Sequence, residues 1–257
     1  MIHQFTQIDS KANLGANVTI SPFTTIYGDV IIGDNCWIGP NVTIMDGARI
    51  GNNVKIFPGA VISAVPQDLK YKGEPTLAEI GDNTVIRECV TINKGTIDRN
   101  KTMVGKNCLL MAYVHVAHDC IIGNNVILAN NVGLSGHITI DDYAILEGTA
   151  VAQQFVHIGA HTFIGGATLI RKNVPPFVKA AREPISYIGV NSVGLSRRGF
   201  DKEVIKKIED IYRIIFVRGF NLSKALETVE KETENSEVKN IILEFIRNSK
   251  DGIIKGI

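Results

Sequence analysis

IGDNCWIGPNVTIMDGARIGNNVKI, residues 32–56, places an isoleucine at every sixth position: Ile32, Ile38, Ile44, Ile50 and Ile56. The same step runs back through Ile26, Ile20, Leu14 and Ile8 to Ile2, and forward to Ile62. After a gap the phase resumes at Ile80, Ile86 and Ile92, continues from Val104 to Leu146, and finishes at Ile158, Ile164 and Ile170. Asp68, Glu74 and Asp98 break it, and Ala152 weakens it. Four residues after most of these aliphatics sits a small or β-branched residue, as at Val18, Val42, Ala48, Cys108, Val114 and Cys120. A helix of 3.6 residues per turn loses phase with a six-residue period within two repeats, and the abundant Gly, Asn and Asp oppose a helix as well. A short strand followed by a turn, repeated, fits both facts. Three such units close a triangular coil of 18 residues, and stacked coils pair through parallel strands about 4.8 Å apart. The aliphatics then pile into one continuous core. The period predicts a mainly β, three-sided parallel solenoid, and it is silent on handedness, because the usual parallel crossover is right-handed.

The two gaps in the period hold the polar, turn-rich stretches AVPQDLKYKGEP and NKGTIDRNKT. They read as loops expelled from the prism at about 63–79 and 93–103, and loops of this length on a regular scaffold carry function more often than not. After Pro175 and Pro176 the pattern turns helical. Asp201 is placed to cap a helix whose apolar face is Val204, Ile205, Ile208, Ile211, Tyr212 and Ile215, with Gly219 ending it. Amphipathic runs at roughly 222–233 and 236–248 follow. The expected organisation is a solenoid over 1–190 and a small C-terminal α-helical domain over 191–257 that covers its open end.

The chain has 257 residues, 45% hydrophobic and 21% charged, which suits a globular protein with a large core rather than a disordered one. A formal net charge of +1 gives no sign of a nucleic-acid partner. The stretch from Arg171 to Arg198 nevertheless holds six Lys or Arg against the single acid Glu183. It suits an acidic partner or a solvated basic face. The N-terminus MIHQFTQIDS has no basic-then-apolar leader, and no run approaches ~18 apolar residues, so no membrane span and a cytoplasmic location are expected. Cys36, Cys89, Cys108 and Cys120 show no CxxC pairing and read as buried thiols.

AYVHVAHDCIIG, residues 112–123, sets His115 and His118 inside an aliphatic run. They are metal ligands, a proton-transfer pair or core residues, according to where they point. His115 directly precedes Val116 and so faces outward, while His118 and Asp119 fall in the turn before Ile122. Adding one coil of 18 puts His118 in column with Gly136 and Gln154, and Asp119 in column with His137. Two imidazoles, a carboxylate and a glycine thus meet on one edge of the prism. A zinc site needs at least three ligands and no cysteine shares this edge, which weighs toward no metal. A histidine titrating near neutrality suits a general base.

Beyond the repeats, QDLKYKGEPT (67–76), IRECVTINKGT (86–96), HVAHDC (115–120), LSGHI (134–138), IGAHTFIGG (158–166), NVPPF (173–177) and GVNSVGLSRRGF (189–200) together resemble the UDP-N-acetylglucosamine 3-O-acyltransferase family, which opens lipid A biosynthesis. The resemblance spans nearly the whole chain. It implies a left-handed parallel β-helix, a homotrimer with shared active sites, and no cofactor. The implied donor is a long 3-hydroxyacyl chain on the phosphopantetheine arm of acyl carrier protein, and the implied acceptor is the 3-OH of UDP-N-acetylglucosamine. By the same resemblance His118 is the base, Asp119 orients it, and the Gly136 N–H serves the oxyanion. His115 and His137 bind the sugar nucleotide and the pantetheine arm, Gln153 and Gln154 bind substrate, and Asp68 and Lys70 reach the sugar from a neighbouring subunit. Asn191, Arg197 and Arg198 meet the nucleotide and the carrier protein, and Gly166 sets acyl-chain length. Gln153 and Asn93 stand where the family commonly has histidine; they keep hydrogen bonding and lose protonation, so both positions read as binding sites. Two other readings are a noncatalytic solenoid that docks a carrier protein and a metal-dependent enzyme.

Overall fold

A computed structural model describes residues 1–256. Its short strands stack into three sheets of nine, eight and ten strands, parallel except for the last strand of the third. We call them faces I, II and III, beginning with Gln7–Ile8, Asn13–Leu14 and Thr19–Ile20 respectively. The chain visits them in that order in every coil and forms a left-handed parallel β-helix. Register follows the period, with His115 opposite Gly133 and Val116 opposite Leu134. The sixth-position aliphatics point inward: Ile38, Ile44, Ile56, Leu110 and Ile122 are fully buried.

The corners between faces require left-handed backbone, which asparagine tolerates better than most residues. On the edge between faces II and III, Asn17, Asn35, Asn53, Asn83, Asn107 and Asn125 all adopt φ between 56° and 59°. Higher on that edge the asparagines give way to Tyr143, His161 and Phe177, and on the edge between faces I and II the corners are Asp119, His137 and Phe155. The rings among them occupy a conformation that costs most side chains more than it costs asparagine.

Strand pairing extends further than the broken period suggests. Val61–Ala64 and Leu77–Ile80 flank the first interruption, leaving 65–76 outside the sheets; Thr91–Asn93 and Lys101–Val104 flank the second, leaving 94–100 outside. Each loop leaves face I and returns on face II, so both emerge from the edge that carries His118 and Asp119.

At the C-terminal end, Val178–Ala181 adds to face III and pairs antiparallel with Ser186–Val190. Four helices follow: α1 (Ser192–Arg197), α2 (Lys202–Phe216), α3 (Leu222–Glu232) and α4 (Glu237–Asn248). The short α1 has no period to announce it and was not expected. Asp201 occupies the N-cap of α2 without making a side-chain cap bond, whereas Asn191, Asn221 and Ser236 cap their helices through side-chain oxygens. Helix α2 stops at Phe216, before Gly219. Tyr212 is fully buried and its hydroxyl donates to the Pro176 carbonyl at 2.6 Å, fastening the helices to the solenoid. Among the described residues no helix is long and apolar enough to cross a membrane. All four cysteines are free, three of them buried and Cys89 half-buried; burial pushes the Cys120 thiol up to about 12.

Candidate active site

His118 lies at the corner between faces I and II, outside the aliphatic core, yet only 5% exposed. An outward direction does not mean exposure here, because the 94–100 loop folds over the corner. His118 Nδ1 is 2.8 Å from Asp119 Oδ2. Asp119 is fully buried and accepts three further bonds: from the Thr96 N–H at 3.0 Å, the Thr96 hydroxyl at 2.7 Å and the Arg99 N–H at 3.1 Å. The Arg99 guanidinium donates to the Asp119 carbonyl at 2.9 Å, and the Thr102 hydroxyl accepts from the Asp119 N–H at 2.9 Å. Burial alone would raise the Asp119 carboxyl, but the donors from His118, Thr96 and Arg99 outweigh it and hold it below the usual carboxylate range. With Asp119 ionised, Nδ1 of the ring carries the proton and Nε2 is left as the acceptor.

One coil further on, Gly136 makes room for the ring. A Cβ there would lie 2.6 Å from His118 Cε1 and 2.8 Å from Nε2. His137 meets His118 edge-on with centroids 5.0 Å apart and stacks on Phe155 at 4.6 Å. Its Nδ1 is 3.0 Å from Asp98 Oδ2 and its Nε2 is 3.9 Å from Asp119 Oδ2. His115 is half-buried, with Nδ1 2.7 Å from the Thr91 hydroxyl; burial, then the neighbouring His118, push its pKa down. Gln153 and Gln154 are exposed above this corner.

Asp68 and Lys70 share a cleft of about 270 Å³ with Tyr71, Asp98, His137 and Phe155. The first expelled loop therefore reaches the histidine corner within one chain, and no neighbouring subunit is needed to bring Asp68 and Lys70 there. The reason is register, since both loops leave from this corner. Asn93 also differs from expectation: it is 2% exposed, donates through Nδ2 to the Val65 carbonyl at 3.2 Å, and ties down the root of the first loop rather than facing a ligand. Thr96, Asp98, Arg99 and Phe155 were missed, although the placement of 94–100 on this corner is computable from the repeat phase.

His118, Asp119 and His137 have ligand atoms within 4.8 Å of one another. Both oxygens of Asp119 already accept two donors each, which uses the lone-pair directions a cation would need. The arrangement favours proton transfer over metal ligation.

The other predicted residues lie on different edges. Asn191 is buried at the start of α1, where Nδ2 donates to the His161 carbonyl at 2.9 Å. Arg197 is exposed, and Arg198 lies over the Tyr143 ring at 5.4 Å, next to the stack of Tyr143 and His161 at 4.8 Å. Gly166 belongs to the third edge, its N–H donating to Glu147 Oε2 at 3.2 Å. A Cβ on Gly166 would be 3.2 Å from the Gly148 carbonyl oxygen, as the 18-residue column predicts.

Burial, then Arg198, lower His161 from 6.5 to about 4, against the pull of Asp142. Between these values the unfolded chain binds more protons, so stability rises with pH through this window and falls on acidification. His161→Phe is expected to lose less melting temperature than the parent between about pH 7 and pH 5; parallel losses in thermal melts would contradict this.

A coiled prism of six-residue repeats with a buried imidazole–carboxylate pair on one edge defines a hexapeptide-repeat transferase. Residues 29–64 and 101–136 match the bacterial transferase hexapeptide (six repeats) family, and residues 173–254 match UDP-N-acetylglucosamine O-acyltransferase, domain 2. The chain is 45% identical over 255 residues to an acyl-[acyl-carrier-protein]–UDP-N-acetylglucosamine O-acyltransferase of Aliivibrio fischeri (strain MJ11), covering 99% of this chain and 97% of that one. Its structure is similar to that of a UDP-N-acetylglucosamine acyltransferase from Bacteroides fragilis 9343, with a TM-score of 0.98, 50% identity and coverage of 99% and 100%. A homologue from Acinetobacter baumannii gives 0.95 at 37% identity, each chain covered to 99%. This chain belongs to the UDP-N-acetylglucosamine O-acyltransferase family.

Proposed function

We propose that the protein transfers a long 3-hydroxyacyl chain from acyl carrier protein to the 3-OH of UDP-N-acetylglucosamine, the opening reaction of lipid A biosynthesis, in the cytoplasm and without a cofactor. The observation that carries this reading is the His118–Asp119 pair packed against Gly136 beside an open cleft. His118 Nε2 takes the proton of the sugar hydroxyl as its oxygen attacks the thioester carbonyl carbon. Asp119 holds the ring by Nδ1–H and stabilises the imidazolium. The carbonyl oxygen of the tetrahedral intermediate gains negative charge and accepts from the Gly136 N–H. Collapse breaks the C–S bond, and the pantetheine thiolate leaves with the proton carried by His118. His115, His137, Asp68, Lys70 and the two glutamines position the sugar nucleotide and the pantetheine arm around this centre.

Asn191, Arg197 and Arg198 stand on another edge of the same prism. A neighbouring copy can set that edge against the His118 corner, which supports a homotrimer with shared sites. Arginine suits the phosphate groups of a nucleotide or a pantetheine arm through its planar fork. Mass spectrometry of a mixture of the protein, UDP-N-acetylglucosamine and a 3-hydroxyacyl carrier protein tests the function: 3-O-acyl product supports it, and unreacted sugar nucleotide rejects it.

Gly166 leaves an open strip beside Gly148 on the third edge, which suits the acyl tail. Each buried methylene contributes about 0.8 kcal/mol, so a shortened strip discriminates against long chains. Gly166→Met is expected to move the preferred donor to a shorter chain in competition assays with mixed acyl carrier proteins. An unchanged donor profile would remove Gly166 from this role.

A further inference from the structure

The second interruption of the repeat costs the solenoid a stretch of regular pairing, and the residues it inserts converge on one carboxylate. Gly95 allows the loop to close tightly, since a Cβ there would run into the Lys101 backbone. Thr76 donates its hydroxyl to the Gly95 carbonyl and anchors the turn from the first loop. From that turn Thr96 presents two donors to Asp119, its N–H to Oδ1 at 3.0 Å and its hydroxyl to Oδ2 at 2.7 Å. Oδ2 is also the oxygen bonded to His118 Nδ1, at 2.8 Å. Arg99 adds its N–H to Oδ1 and its guanidinium to the Asp119 carbonyl. Asp119 itself sits at φ 59°, the left-handed corner conformation that Asn and Asp adopt readily, so what the loop restrains is the carboxylate.

We infer that Thr96 and Arg99 are positioning residues for the reaction: the 94–100 loop clamps Asp119 so that one tautomer and one orientation of His118 face the substrate. Neither residue touches the reacting atoms. A lone neighbouring carboxylate can rotate and can accept from either ring nitrogen. A carboxylate fixed by three other donors offers the ring one acceptor in one place, which is how supporting hydrogen bonds determine the direction of an imidazole. The Thr96 hydroxyl is decisive because it shares Oδ2 with the ring and fills the remaining lone pair of that oxygen. The inference rests on His118 being the base.

The test compares Thr96→Val, which keeps the β-branched shape without the donor, with Thr96→Ser, which keeps the donor. Thr96→Val is expected to lower kcat about tenfold while both KM values stay within about twofold, and Thr96→Ser is expected to restore most of the loss. In parallel, ¹⁵N NMR of the His118 ring nitrogens reads the clamp without turnover: a single Nδ1–H tautomer in the parent and in Thr96→Ser, mixed tautomers in Thr96→Val. Thr96→Ala, which removes the hydroxyl and its methyl but keeps the backbone N–H on Oδ1, supplies a second variant should Thr96→Val fold poorly, with the same change in kcat and in tautomer expected. Parent-like kcat and an unmixed tautomer in the folded Val or Ala variants would overturn the inference. An altered tautomer with undiminished kcat would instead uphold the clamp and overturn His118 as the base.

Discussion

Replacing His118 by alanine is expected to lower kcat by about 10²- to 10⁴-fold, the range over which a positioned general base acts, and to leave the fold and the proposed trimer intact. The expectation of an intact fold comes from location. The ring sits at a corner of the prism, while the core is made by the aliphatics Val116 and Ile122 on either side of it, both fully buried. Alanine therefore opens space under the 94–100 loop without removing a core side chain. It also leaves the Asp119 carboxylate with three donors, from Thr96 and Arg99, so no buried charge is left without a partner. Circular dichroism and thermal melts beside turnover assays separate the two effects. Near-parental turnover in a folded His118→Ala protein would remove His118 from the chemistry.

Gly136→Ala is expected to lower kcat by about 10²-fold, although it adds a single methyl group. That methyl would lie 2.6 and 2.8 Å from His118 ring atoms, closer than carbon atoms approach one another. The ring has to move by a fraction of an ångström to about 1 Å, and displacements of that size at a reacting centre cost about 10²-fold. Gly136 is absent from the positive-φ positions, so its role is space and an approachable N–H, not conformational freedom. Gly133→Ala provides the control: a Cβ there meets only Val151 methyl groups at 3.8 Å. Turnover of purified variants checks the pair, with Gly133→Ala near the parent and Gly136→Ala far below it. Equal activities would mean that the ring tolerates the shift.

Much of this geometry was legible because a period of six leaves little freedom. Once Val116, in phase with the isoleucines, points inward, His115 has to face outward and His118 has to lie at a corner, and the addition of 18 finds Gly136 and His137. The phase also contained the placement of both loops, since Ile62 belongs to face I and Ile80 to face II, as do Ile92 and Val104. What it did not contain is the path of a loop once outside the sheets. The burial of His118 and Asp119, the donors from Thr96 and Arg99, and the inward turn of Asn93 depend on non-repeating contacts. Helix α1 escaped for a related reason: its six residues are too few to show a helical period, and its cap, Asn191, is held by the His161 carbonyl of a distant coil.

Within one chain the His118 corner and the Arg198 edge lie on different edges of the prism, so a shared site needs two copies. Mixing inactive His118→Ala chains with Arg198→Ala chains, then unfolding and refolding them together, tests this directly. If each site takes its imidazole from one copy and its guanidinium from the next, random assembly regenerates about a quarter of the sites with both groups present, and activity returns. Mixed oligomers that stay as inactive as either parent would contradict a site built from two copies.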